Sequence, residues 1–63
     1  MLIADAKTLD AIQDPFAKRD FCLRRGKECW DSYELLKREK QGFLAHQSFR
    51  HACEFRLLAL EVW

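Results

Sequence analysis

The chain reads as an all-α protein, a long antiparallel helical hairpin preceded by a short helix. Three observations predict this. From residue 15 onward apolar residues recur at spacings of three, four and seven, the intervals that gather on one face of a helix. One Pro and two Gly leave too few turn formers for an all-β fold. The two sharpest boundary signals, Asp14-Pro15 and Gly42, divide the 63 residues into one short and two long segments.

The first segment, LIADAKTLDAI, puts Leu2, Ala6, Leu9 and Ile12 at helical spacing and predicts a short helix over about 2–12. It either packs on the hairpin or lies across a partner. The long helix is expected to run from Pro15 to about residue 41. Asp14 is a natural N-cap, because its carboxylate accepts an amide that the first turn leaves without a partner. Proline at the first helical position loses nothing by lacking an N–H. Within this helix Cys22, Cys29, Tyr33 and Leu36 form one apolar line, and Phe16, Leu23 and Trp30 form a second beside it. Gly26 falls on the same side, which suggests close approach by whatever lies opposite.

The cationic last turn, Lys37 to Lys40, complements the helix dipole. Gly42 then reads as the left-handed cap. A second long helix follows over about 43–62, with His46, Phe49, Cys53, Leu57 and Leu60 expected on its buried face. A turn at 41–42 sets Cys29 near Cys53, so these two are the expected core cysteines. The chain has no internal repeat and no linker, and reads as one domain, 1–63.

Composition narrows the function classes. A net charge of +1 implies little steering toward polyanions. The charge is unevenly spread, since residues 15–40 hold eight Lys and Arg against five Asp and Glu. No apolar run approaches the length of a membrane span. The N-terminus lacks the basic leader and continuous apolar core of a signal peptide. With three cysteines, an odd number, this favours free thiols and a cytoplasmic location.

Metal and catalytic chemistry find little support. A structural zinc site draws four ligands to within about 2.0–2.3 Å of one ion, whereas Cys22 and Cys29 stand two helical turns apart. His51 and Cys53, two residues apart, diverge on a helix and cannot act as base and nucleophile. No phosphate-binding glycine loop, HExxH or paired-carboxylate pattern is present. The sequence therefore assigns no catalytic, metal or cofactor site, and a non-enzymatic role is expected.

Its apolar inventory is nevertheless large for a hairpin, with nine Leu, five Phe and two Trp. Covering it calls for either pairing into a four-helix-bundle-like homodimer or docking on a larger protein partner. The candidate interaction surface is Trp30, Tyr33, Phe49, Phe55, Leu58, Val62 and Trp63. The expected function is a small protein–protein interaction module acting as regulator, adaptor or inhibitor. The alternative is a small dimeric transcriptional regulator contacting DNA through the basic face of residues 15–40. Its candidate contacts are Arg24, Arg25, Lys27, Lys37 and Arg38.

Overall fold

The protein, described here from a computed structural model over residues 2–61, consists of three helices. They are α1 (Ile3–Ala11), α2 (Pro15–Arg38) and α3 (Gly42–Glu61). Helices α2 and α3 pack along one another as an antiparallel hairpin, giving an elongated body of 38 × 19 × 13 Å.

Helix α2 begins where its local chemistry requires. The Asp14 carboxylate accepts a hydrogen bond from the Phe16 amide at 3.2 Å, and Pro15 occupies the first turn. The helix ends in a Schellman turn. The Gln41 amide donates to the Leu36 carbonyl at 2.9 Å and the Lys40 amide to the Lys37 carbonyl at 3.2 Å. The left-handed residue that closes this motif is Lys40, with φ of 61°. Gly42 is the first residue of α3 instead and does not have a positive φ. The helix therefore stops at Arg38 rather than near residue 41, and the hairpin turns earlier than the glycine suggested.

That shift, together with the small residues of α3, decides which faces meet. The core is Phe21, Cys22 and Cys29 from α2 with Ala52, Phe55 and Ala59 from α3. Phe55 and Cys22 are fully buried. The Phe55 ring meets Phe21 edge to face, with centroids 6.1 Å apart. Gly26 lies opposite; a Cβ added there would stand 3.4 Å from the Phe55 Cβ and 3.7 Å from the Ala52 carbonyl oxygen. Ala45, Ala52 and Ala59 are all buried and stand one heptad apart. Small side chains along this line let the two helices approach closely.

Cys29 is thus a core residue, as its spacing predicted, and Cys53 is not. Cys53 is exposed, and the second buried thiol is Cys22. The expected inner face of α3 is rotated by about one residue, roughly 100°. Leu57 and Leu60, placed inside by the sequence pattern, are 61% and 68% exposed.

Helix α1 meets the hairpin more sparsely, through Leu9 and the following Ile12, which pack against the core as Leu58 of α3 also does. No residue of α1 is fully buried. Its main polar attachment is Asp5, whose two carboxylate oxygens accept from Arg25 Nε at 3.2 Å and Nη2 at 3.4 Å. Arg25 also donates to Glu28 and lies over the Phe55 ring, 5.7 Å from its centroid. These carboxylates hold the Arg25 guanidinium further toward its charged form than usual. The pair is partly exposed, so its contribution is that of a docking contact rather than of the core.

Candidate protein-binding face

With α1 on one side, the opposite side of the hairpin stands open. On α2 it carries Phe16, Leu23 and Trp30, which are 61%, 48% and 42% exposed. On α3 it carries Phe49, Cys53, Leu57 and Leu60. Helical geometry explains the grouping. Residues 16, 23 and 30 stand a heptad apart and lie about 100° round α2 from Cys22 and Cys29. Residues 53 and 60 hold the matching position on α3 relative to Ala52 and Ala59, and Phe49, four past Ala45, lies between the two lines. Each helix therefore turns one apolar line into the hairpin and a second toward the same open side.

A groove follows the junction of the two helices on this side. One stretch, of about 320 Å³, is walled by Leu23, Lys27 and Trp30 on α2 and by Cys53 and Arg56 on α3, over a floor of Cys22, Gly26 and Ala52. A second stretch lies nearer the turn, between Tyr33, Lys37 and Lys40 on one side and Gly42, His46 and Phe49 on the other. Three aromatic rings stand between the two. Trp30, Tyr33 and Phe49 contact one another with centroids 5.1–5.9 Å apart. The Trp30 indole N–H donates to Glu34 at 2.9 Å, and the Lys37 ammonium lies 5.8 Å from the Tyr33 ring centre.

The sequence-predicted surface residues separate into three groups. Trp30, Tyr33 and Phe49 stand together on the open side. Phe55 is fully buried and Leu58 is half-buried against the core, so neither belongs to an outer face. The cause is the rotation of α3 set by its alanine heptad. Val62 and Trp63 lie outside the described residues. Leu23, Leu57 and Leu60 complete the face. The sequence pattern contained all three, Leu23 in the second apolar line of α2 and Leu57 and Leu60 as candidates for the interior.

The predicted nucleic-acid contacts do not share one surface. Arg25 is engaged by Asp5 and Glu28 on the α1 side. Arg24 stacks its guanidinium 5.8 Å from the Phe21 ring centre, while Lys27 and Lys37 border the open groove. Arg38, in the last turn of α2, supports the carboxyl end of that helix.

The thiols divide in the same way. Burial pushes the Cys22 and Cys29 thiols above the ordinary value, which keeps both protonated at neutral pH. Among the described residues, no group of three or more His, Cys, Asp and Glu side chains is placed to hold a metal ion. No described helix is long and apolar enough to cross a membrane. What the fold and this face define is a small all-α protein with one side of its hairpin left uncovered by the other described residues. No protein-family model matches the chain, and comparisons with curated proteins and with solved structures found no significant similarity.

Proposed function

We propose that the chain is a helical protein–protein interaction module that binds through the open side of the α2–α3 hairpin. It would act by binding rather than by catalysis, as a regulator, adaptor or inhibitor. One observation carries this reading. Two adjacent lines of large apolar side chains stand exposed on a single side, although the hairpin has an interior into which it packs alanines instead. Isolated exposed leucines are ordinary, but a contiguous apolar patch with a polar rim is characteristic of an interaction site.

Two kinds of partner fit such a face. A second copy would give the four-helix-bundle-like homodimer, and a helix of another protein would occupy the groove as a third helix. A photo-crosslinking side chain at position 23, on the face, and at position 31, on the outer surface of α2, tests the reading in the cell of origin. A discrete protein adduct is expected from position 23 and none from position 31. Equal yields from both positions, or none from position 23, would refute it.

A further inference from the structure

We infer that the occupant of the open groove is an amphipathic helix of another protein, its apolar stripe flanked by Asp and Glu; this rests on the protein-binding reading above. The argument is the charge of the groove against the charge of the chain. The chain is close to neutral, with 11 Lys and Arg against 10 Asp and Glu. Along the groove, however, Lys27, Lys37, Lys40 and Arg56 line the two stretches, and no Asp or Glu does. Glu34, outside that lining, accepts from the indole of Trp30. Among the described residues Lys27, Lys40 and Arg56 form no ion pair with a carboxylate, whereas Arg25 on the α1 side is engaged by two. The cations that α1 meets are thus already neutralised within the chain, and those around the open groove await an external partner.

The shape suits a helix. The lining residues of α2 run from Cys22 to Lys37, a rise of roughly 22 Å at ~1.5 Å per residue, which matches about four turns of a docked helix. Apolar side chains form the middle and cations stand at the edges, the complement of a helix with an apolar stripe and acidic flanks. A second copy fits less well. Two-fold pairing lays the same face on itself, bringing one cation-lined groove against another with no lining acid between them. Single-stranded nucleic acid would need separated ring faces for stacking. Here the three rings lie against one another, and the stretch walled by Leu23 and Arg56 holds no further ring beyond Trp30.

The test compares two fluorescent helical peptides of about four turns with an identical Leu/Phe stripe, one flanked by Glu and one by Lys. Anisotropy titrations at low salt are run beside a single-stranded oligothymidylate and sedimentation equilibrium of the chain alone. The Glu peptide should bind at least about tenfold more tightly than the Lys peptide, a difference of roughly 1.4 kcal/mol. That preference should vanish or invert in the Lys27→Glu/Arg56→Glu double variant. Leu23→Gln and, separately, Trp30→Ala should each weaken binding, with helical content unchanged by circular dichroism. Equal binding of both peptides, lost in Leu23→Gln, overturns the acidic partner but leaves the protein-binding face standing. A dimer that Leu23→Gln dissociates, with neither peptide bound, assigns the face to a second copy. Tighter binding of the oligothymidylate than of the Glu peptide assigns it to nucleic acid. Peptide binding indifferent to Leu23 and Trp30, or a monomer that binds none of the probes, overturns the proposal and the face together.

Discussion

Replacing Phe55 with alanine removes the side chain on which all three helices converge. Its ring is fully buried, meets Phe21 edge to face, lies under the Arg25 guanidinium that α1 holds through Asp5, and faces Gly26 across the hairpin. Truncating a buried Phe costs about 3–5 kcal/mol, the lost transfer energy plus the cavity left behind. At roughly 0.05–0.15 kcal/mol per residue a chain of this length has only ~3–9 kcal/mol of stability in total. Phe55→Ala should therefore remove about half of the stability or all of it. Leu57→Ala, two residues away on the open side, should cost no more than about 0.5 kcal/mol. Urea denaturation followed by far-ultraviolet circular dichroism measures both. If Phe55→Ala costs less than Leu57→Ala, α3 buries its other face and the open groove does not exist.

The Schellman turn makes Lys40→Gly stabilising by about 1 kcal/mol, because glycine adopts the left-handed region without the Cβ penalty. A melting temperature that fails to rise would move the left-handed position elsewhere in the turn. Gly26→Ala gains up to about 1 kcal/mol of helix propensity, and its new Cβ meets Phe55 at ordinary contact distance. It too should raise the melting temperature, and a fall would mean that the helices approach more closely than described. Alkaline pH should destabilise the fold through Cys22 and Cys29, whose thiols burial pushes up. Their contribution is complete below the unfolded thiol value, about 8.5, and is lost as pH rises from there through the higher folded values. Thermal melts from neutral to alkaline pH should show a shallower decline for the Cys22→Ala/Cys29→Ala double variant than for the native chain. An unchanged slope would show that these thiols ionise alike in the folded and unfolded states.

Helix α2 was legible because its signals agree. Asp14 and Pro15 mark its start by local hydrogen bonding and a fixed φ, and Cys22, Cys29, Tyr33 and Leu36 form a line with Phe16, Leu23 and Trp30 beside it and charged residues on the opposite side of the helix. Helix α3 was not, because it carries apolar residues on most sides and hydrophobicity alone favours the larger ones. Packing decided otherwise. Ala45, Ala52 and Ala59 repeat at heptad spacing opposite a helix that carries Gly26, and such small residues permit a close approach that Leu57 and Leu60 would block. That alanine heptad was the available signal for the buried face. The turn misled for a related reason. Glycine is the usual left-handed residue, but Lys40 takes that role where the carbonyls of Leu36 and Lys37 find their partners. The candidate face follows from both facts, since rotating α3 by about one residue moves Phe49, Cys53, Leu57 and Leu60 from the core to the open side.

The openness of that side is the premise of everything functional, and Cys53 reports on it directly. The reduced native protein would be alkylated at several protein concentrations, and modification at each cysteine resolved by mass spectrometry. Cys53 should be modified in the native protein at a rate independent of concentration, while Cys22 and Cys29 stay protected until the chain unfolds. Protection of Cys53 at all concentrations would mean that the chain covers this face itself. Protection that grows with concentration would mean that a second copy covers it, and rapid modification of Cys22 would contradict the fold.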